Sequence, residues 1–447
     1  MTRYHARWIC PISSAPIRDG TLVEQNGRIV FVGPRTGSPP GGDDVELGDV
    51  VLVPGLVNAH CHLELTAMRG FLDGLDFLGW INRLTMARRA VLTPSMLLDA
   101  ARLGVEEGVR HGITTFADTG DTGAGFDAML ESHVRGISYR EVFGPDPQHC
   151  AAAISALRAK ILLMRDRETR LVKAGVSPHA PYTVSDPLFA ATAALAREMD
   201  VPVAVHIAES RIESELVEEG SGPFAAALRL RGISVVARAR SPVALLEKLG
   251  VLDLRPLLIH CVRVDASDVD AIARHDCGVA HCPASNAKLG HGIAPLVALL
   301  AAQVRVGLGT DSVASNDRMD LLDEARLASL IASARESRHD ALSSERVLAL
   351  STLGGACALG LDTEIGTLDV GKSADLAAFP VSSVRSPLHD PVSALMCSMA
   401  GVQASFVAVA GRVLVRHGVL QGADPELPAR VQSTADRLQE WLRAWEN

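Results

Sequence analysis

The sequence has no C-x-x-C pair, although it contains eight cysteines. Zinc ribbons and disulfide frameworks both need regularly spaced cysteines, and the scattered spacing here argues against either. We predict that they are small buried hydrophobic side chains, at Cys10, Cys61, Cys150, Cys261, Cys277, Cys282, Cys357 and Cys397.

Long apolar runs and blocks of like charge are also missing. The longest apolar runs, such as "APLVALLAA", are far too short to span a bilayer, and no apolar stretch follows the charged first residues as a secretory signal would require. The formal net charge is -9, with neither sign concentrated. This distribution argues against a nucleic-acid or anionic-membrane surface. We therefore predict a cytoplasmic protein with a small-molecule substrate and neither a membrane nor a nucleic acid as partner.

Eight short apolar segments that end in polar residues recur between helical patterns. None shows the polar alternation of a half-exposed sheet, so each is predicted to be a strand buried on both faces of a parallel sheet. The segments are "VLVPGLVNAHCH", "GITTFADT", "GISYREVFG", "KAGVSPHA", "VPVAVHIAE", "PLLIHCVR", "CGVAHCPAS" and "VRVGLGTDS".

Helix-capping residues stand between these segments, for example Thr93, Ser185 and Asp265. Eight strand-then-helix units over residues 55–360 predict a (β/α)8 TIM barrel, in which the polar strand ends meet at one mouth. Residues 1–54 and 361–424 have the texture of short strands and turns. Neither segment alone has enough strands for a stable sheet, so together they are predicted to form a small discontinuous β-sandwich. Residues 425–447 are predicted to form a C-terminal helix.

The stretch "NAHCHLE" sets two histidines one residue apart at the end of a strand. Residues two apart on a strand point to the same face, so His60 and His62 are able to bind one metal ion. Taken alone, the pair is equally consistent with two polar residues that close a strand.

Three further strand ends favour a metal site. His206 closes "VPVAVHIAE" three positions before Glu209, His260 closes "PLLIHC", and Asp311 closes "VRVGLGTDS". A single solvated strand end would explain any one of them, but all five strand-end residues are in register with one barrel mouth.

The residue types at that mouth suit hydrolysis at one divalent metal ion. Zn²⁺ or Fe²⁺ fits the ligand set His60, His62, His206 and Asp311, which leaves a place for water. The metal would lower the pKa of that water and supply hydroxide as nucleophile. Glu209 is predicted to carry the proton to a leaving nitrogen, His260 to orient the water or polarise the attacked atom, and Asp311 to hold a water proton.

Ordered motifs then resemble those of the amidohydrolase superfamily: "PGLVNAHCHLELTAMRG", "SPHAPYTVS", "HIAES", "HCV", "CPASNAKLGHGIAPL" and "LGTDSVASND". They cover the whole barrel in order, and "GKSADLAAF" resembles the family's return to the β-sandwich. The match is strongest to the deaminase and chlorohydrolase branch, which includes adenosine, S-adenosylhomocysteine and methylthioadenosine deaminases.

The resemblance implies roles for individual residues. His60, His62, His206 and Asp311 fall on its metal-ligand positions, Glu209 on its proton shuttle, His260 on its strand-six histidine, and His179 on a histidine of the substrate pocket. Zinc is the commonest metal of the branch, with iron in some members, and relatives often form homodimers. Binuclear relatives carry a carboxylated lysine at the end of strand four, where this chain has His179, with Lys173 at the strand's other end. One divalent ion is therefore expected.

The leading hypothesis is a hydrolytic deaminase that attacks an adenine-containing nucleoside and releases ammonia. In S-adenosylhomocysteine deaminases a glutamate follows the tryptophan that matches Trp80, whereas "WINRLTMARRAVL" has no acidic residue. That departure weakens the case for simple adenosine-type recognition. The run from His62 to Leu65 is similar to that of aminodeoxyfutalosine deaminases, whose substrate joins an adenine to a benzoate, and Glu64 would then contact the nucleoside.

Other substrate contacts and functions stay open. Asn286 and Lys288 follow strand seven, and an aromatic or anionic substrate portion would suit Trp80, Arg69, Arg83, Arg135 and Arg140. The predicted substrate contacts are His179, Glu64, Trp80, Arg140 and Asn286. The alternatives are a guanine, pterin or cytosine deaminase, a triazine chlorohydrolase, and a non-catalytic binding protein on the same fold.

Overall fold

Sixteen strands are present in the computed structural model, which describes residues 1–381 and 387–446. The first four are β1 (Thr2–Ile9), β2 (Ile17–Gln25), β3 (Arg28–Pro34) and β4 (Asp43–Pro54). The next eight are β5 (Leu56–Cys61), β6 (Ile113–Gly120), β7 (Arg135–Val142), β8 (Val172–Pro178), β9 (Ala204–Ile207), β10 (Leu257–His260), β11 (Gly278–His281) and β12 (Arg305–Leu308). The last four are β13 (Leu376–Pro380), β14 (Phe406–Val409), β15 (Arg412–Arg416) and β16 (Val419–Leu420).

Helices follow most of the middle strands. The α-helices are α1 (Phe77–Val91), α2 (Pro94–Arg110), α3 (Ala124–Glu131), α4 (Cys150–Arg165), α5 (Asp186–Met199), α6 (Arg211–Glu219), α7 (Gly222–Leu230), α8 (Pro242–Lys248), α9 (Ala266–Arg274), α10 (Pro283–Lys288), α11 (Leu296–Ala301), α12 (Val313–Asn316), α13 (Leu321–Glu336), α14 (Ser344–Ala349), α15 (Gly355–Ala358), α16 (Pro391–Ser398) and α17 (Leu427–Glu446). A 3-10 segment, Leu63–Met68, follows β5. Among the described residues, no helix combines the length and apolar character needed to cross a bilayer.

Strands β5 to β12 form a ring of parallel strands. They run as two groups of four, β5 to β8 and β9 to β12. A parallel bridge between Val176 and Val203 joins β8 to β9, and a bridge between Cys61 and Asp311 joins the end of β12 to β5. The predicted (β/α)8 fold is confirmed.

The inside of the ring is filled by apolar side chains from successive strands, among them Val57, Ala117, Tyr139, Leu257 and Ala280. Side chains alternate along each strand, so every second residue points into the barrel and the residues between them face the helices. The interior is therefore a packed core beneath the mouth and not a pore.

The two ends of the chain share one eight-stranded sheet, in which β4 pairs with both β1 and β13. The rings of Tyr4 on β1 and Phe406 on β14 lie 5.1 Å apart, although β4 and β13 separate these strands. Three strand spacings in a flat sheet would span about 14 Å, so the sheet curls strongly. Its halves face each other across a shared apolar core. The predicted sandwich is thus built from one continuous sheet, because β4 is long enough to serve both halves.

The C-terminal helix α17 packs on α1 and α2. Leu438 is fully buried and clusters with Met68 and Leu72, next to the cavity-lining side chains of Leu65 and Trp80. Near the end of the helix, Glu446 accepts a hydrogen bond of 3.1 Å from Arg83 on α1. The last helix therefore supports the outer side of α1.

Leu438→Ala should lower the free energy of unfolding by about 2–5 kcal/mol, because it leaves a cavity in this cluster. Urea denaturation of the purified chain measures the change. Gln439→Ala, at the exposed neighbouring position of the same helix, is the matched control and should leave stability within about 0.5 kcal/mol. An equal loss in the two variants would contradict the docking of α17.

Candidate active site

Four side chains meet at the mouth of the barrel. Nε2 of His60 lies 3.2 Å from Oδ1 of Asp311, and Nε2 of His62 lies 3.5 Å from the same oxygen. Nε2 of His206 lies 3.3 Å from Nε2 of His62. The structure thus brings together all four residues that the sequence predicts as metal ligands.

Hydrogen bonds fix the lone pairs of two of these histidines. Nδ1 of His62 lies 2.9 Å from the Thr119 carbonyl, and Nδ1 of His206 lies 3.2 Å from the His179 carbonyl. A carbonyl only accepts, so both Nδ1 atoms carry the hydrogen and both Nε2 atoms present lone pairs to each other. Burial lowers the pKa of His62 to about 3 and the pKa of His206 well below its ordinary value, which keeps both rings neutral. Two facing lone pairs fit a shared cation.

Asp311 supplies the negative charge of the cluster. Burial alone would raise its pKa, but the hydrogen bond from His60, with the electrostatic effect of the surrounding histidines, outweighs burial and holds the pKa well below its ordinary value. Its other oxygen accepts hydrogen bonds from the hydroxyls of Ser285 and Ser315. His60, His62 and His206 are close enough to share one cation, and Asp311 is close enough to share one with His60. Three imidazoles and one carboxylate are a donor set suited to a divalent ion such as Zn²⁺.

The backbone is strained where the site side chains leave their strands. Ala208, His260 and Asp311 have φ values of 52°, 77° and 55°, in the left-handed region that non-glycine residues seldom adopt. The Asp311 N–H donates to the His60 carbonyl at 3.0 Å, which ties the two ligand strands together. Such strain persists only where surrounding contacts enforce it, and it concentrates at functional sites.

Glu209 follows β9 and points into the same space. Its Oε1 lies 3.4 Å from Nε2 of His260 and 3.2 Å from Nε2 of His291. Burial alone would raise its pKa, but the charges of His260 and His291 outweigh burial and lower it. A buried carboxylate is therefore available to take up a proton.

Two residues that support Glu209 were not found from the sequence. Glu213 accepts hydrogen bonds from the backbone N–H groups of Ala208 and Glu209, at 2.9 and 2.8 Å, and so fixes the turn that aims Glu209. The pattern Ser210-x-x-Glu213 at the start of α6 resembles a capping box and would have indicated it. His291 lies in a loop, and no local pattern links it to Glu209.

A cavity of about 630 Å³ opens above these groups, a volume in the range of small-molecule sites. Aromatic and charged side chains share its wall. The lining includes His62, Glu64, Trp80, Leu84, Arg88, Arg89, Asp121, Glu141, Phe143, His179, Tyr182, His206, Glu209, Arg231, His260 and Asp311.

Three of the five predicted substrate contacts, His179, Glu64 and Trp80, lie on this wall. The other two do not. Asn286 lies behind His260, with its Oδ1 3.0 Å from His260 Nδ1, so it positions that ring. Arg140 lies on the side of β7 opposite the inward-pointing Tyr139, close to buried carboxylates behind the wall.

The other arginines and lysines considered from the sequence also lie away from the wall. Each is bound elsewhere: Arg69 to Glu107, Arg83 to Glu446, Arg135 to Asp375, Lys288 to Asp317 and Lys173 to Glu168. Lys173 lies at the start of β8, as expected, and no lysine among the described residues lines the cavity.

Arg88 on α1 is the arginine that reaches the cavity next to Glu64. It donates hydrogen bonds to both Glu64 and Asp121, and Thr122 donates to the other oxygen of Glu64. Trp80, Leu84 and Arg88 are spaced four residues apart and share one face of α1. That spacing is the sequence signal by which Arg88 could have been found.

A parallel barrel with histidines and an aspartate meeting at its mouth defines a barrel enzyme with a candidate metal centre. Residues 51–423 match the model of the amidohydrolase family. The chain belongs to the amidohydrolase family, which confirms the resemblance inferred from the motifs and the prediction of a hydrolase.

Relatives match over nearly the full chain. The chain is 33% identical over 438 residues to the 5-methylthioadenosine/S-adenosylhomocysteine deaminase of Desulforudis audaxviator, covering 96% of this chain and 97% of the relative. It is 32% identical over 444 residues to the 5'-deoxyadenosine deaminase of Methanothrix thermoacetophila, covering 96% and 98%. A crystal structure of an adenosine deaminase from Xanthomonas campestris with bound zinc superposes with a TM-score of 0.86 at 28% identity, covering 98% of each chain.

Proposed function

We propose that this enzyme is a hydrolytic deaminase of an adenine-containing nucleoside. The observation that carries the proposal is the position of Glu209, a buried carboxylate that faces the cavity beside His260 and the four-residue donor cluster. Deamination needs one group that takes a proton from water and returns it to a leaving nitrogen, and Glu209 has the charge and the access for both. The relatives with deaminase names support the same reaction class.

We assign the metal-binding role to His60, His62, His206 and Asp311, with one zinc ion per chain as the expected occupant. A divalent ion bound there would supply Lewis-acid activation of water. The hydrogen bonds from Nδ1 of His62 and His206 to backbone carbonyls hold both rings in the tautomer that leaves Nε2 free to bind the metal. By resemblance to the family we also propose a cytoplasmic location and a homodimer. Light scattering of the purified protein would test the homodimer.

The chain's own groups account for the proton transfers. Water adds to the ring carbon that carries the amino group, so that a C–O bond forms. Glu209 accepts one proton of that water and delivers it to ring nitrogen N1. The proton of the added hydroxyl then passes to the amino nitrogen, the C–N bond breaks, and ammonia leaves with a C=O bond in its place on the ring. His260, held through Nδ1 by Asn286, keeps Nε2 beside the reacting groups.

The cavity wall favours a nucleoside over a free base. A volume of about 630 Å³ accommodates a purine with its sugar, and Trp80, Phe143 and Tyr182 supply flat apolar surfaces for stacking. Arg88 and Thr122 both hold Glu64, so one carboxylate is fixed in orientation on the wall. We assign Glu64 to the nucleoside's hydroxyl groups.

An ammonia-release screen of the purified enzyme tests the proposal. We expect turnover with at least one of adenosine, 5'-deoxyadenosine, methylthioadenosine, S-adenosylhomocysteine and 6-aminodeoxyfutalosine. Guanine, a pterin, cytosine and a chlorotriazine, the last followed by chloride release, serve as comparison substrates. Turnover confined to these comparison substrates would contradict the assignment to adenine nucleosides.

A further inference from the structure

Glu141 is a buried carboxyl group on the cavity wall without a role in the reaction described above. It follows Ile137 and Tyr139 at alternate positions of β7, on the side that points into the barrel. Only 7% of the residue is exposed, and its Oε1 has no hydrogen-bond partner among the described residues. A buried polar atom that faces a cavity without a partner indicates a place for a ligand atom.

His179, on the next strand, presents a hydrogen-bond acceptor beside Glu141. The Thr183 hydroxyl donates to the Ala180 carbonyl at 3.2 Å, so its oxygen accepts from Nδ1 of His179, 2.8 Å away. Nε2 of His179 therefore carries a lone pair. It lies 3.9 Å from Oε1 of Glu141, which is too far for a direct hydrogen bond.

Glu141 is a hydrogen-bond donor in this setting. Burial raises the pKa of Glu141 well above its ordinary value, and the charges of Asp121 and Glu64 raise it further, against the opposing effect of Arg88. The group is thus a neutral acid with one O–H. The wall offers one donor and one acceptor side by side.

Glu141 and Glu209 lie on opposite sides of His179. Glu141 is at the end of β7, His179 follows β8, and Glu209 follows β9. In an adenine the 6-amino group stands between ring nitrogens N1 and N7. A ring that turns N1 to the proton carrier Glu209 therefore turns N7, together with the adjacent N–H of the amino group, toward Glu141 and His179.

We propose that Glu141 is a specificity-determining residue that donates a hydrogen bond to N7 of the purine, while Nε2 of His179 accepts one from the amino group. The assignment rests on the proposed function. If Glu141 donates to N7, a substrate needs a ring nitrogen at that position. Purine nucleosides are then favoured over 7-deazapurine nucleosides and pyrimidines.

The test compares 5'-deoxyadenosine with its 7-deaza counterpart. We expect the preference of the wild-type enzyme for the purine in kcat/KM to exceed that of a variant without a donor at position 141 by about five- to tenfold, the contribution of one hydrogen bond. Glu141→Gln keeps a donor and should keep that preference. Glu141→Met has a similar volume without a donor and should lower the wild-type preference by that factor, as should Glu141→Ala. Because the ratio is compared between variants, the intrinsic reactivity of the two rings cancels.

Glu324→Gln is the matched control, since Glu324 is also a fully buried carboxyl group but does not line the cavity. It should keep the wild-type preference. An unchanged preference in Glu141→Met, or the same loss in Glu141→Gln as in Glu141→Met, would overturn the inference.

Binding separates this inference from the reaction itself. In Glu209→Gln protein, calorimetry gives the Kd of both compounds without turnover, with and without Glu141→Met. A preference that depends on Glu141, in an enzyme whose wild type releases no ammonia, would support the subsite and reject the proposed reaction. Ammonia release by the wild type, with one shared preference in every Glu141 variant, would reject the subsite and leave the reaction standing.

Discussion

Glu209→Gln should lower kcat for ammonia release by about 10²–10⁴-fold while the protein keeps its metal. An amide cannot take up the proton of water, and general acid–base catalysis by one side chain contributes an effect of this size. Glu209 lies next to His260 and His291 and outside the four-residue donor set, so the ion should be retained. Steady-state ammonia release together with metal analysis of the same sample measures both.

Glu218→Gln is the control for this experiment, because Glu218 is exposed on the helix that follows Glu209. Its kcat should match that of the wild type. A Glu209→Gln enzyme with full turnover would remove Glu209 from the mechanism. Loss of both metal and turnover would make it a structural residue of the centre.

Asp311→Asn should weaken metal binding by more than about 100-fold and lower ammonia release in parallel. Asp311 is the one carboxylate of the four proposed ligands, and its loss leaves only the three imidazoles of His60, His62 and His206 around the cation. Even changes in groups that only support metal ligands typically cost about 10–100-fold in affinity. Competition with a zinc chelator measures the affinity of the wild type and the variant.

Asp317→Asn, six residues further along the same segment, provides the comparison. Asp317 contacts Lys288 and the backbone N–H of Gly70, away from the donor cluster. Zinc affinity in this variant should remain that of the wild type. If Asp311→Asn retains one tightly bound zinc ion, the proposed ligand set is wrong.

The positions of the site residues could be predicted from sequence because they follow from topology. Polar residues closed eight buried strands, and a parallel barrel carries all such ends to one mouth. His60, His206 and Asp311 are far apart in the chain but meet because each lies at or just beyond the C-terminal end of its strand. The family motifs added the proton-carrying role of Glu209.

Residues of the cavity wall were harder to predict because their placement depends on packing between separate elements. Arg140 was expected to reach substrate, but the alternation along β7 turns Glu141 inward and Arg140 outward. Arg88 reaches Glu64 because of where α1 crosses the mouth. Asn286 was predicted to contact substrate, whereas its side chain forms a hydrogen bond with the His260 ring.

The support of α1 by the last helix bears on how this enzyme could diverge. The proposed chemistry belongs to strand ends of the closed barrel, whereas Trp80, Leu84 and Arg88 come from a helix that α17 holds from behind. Substitutions in α17 are therefore able to shift α1 without disturbing the proposed metal ligands or Glu209. Substrate preference in this enzyme could therefore evolve through substitutions at α17 positions that do not contact the nucleoside.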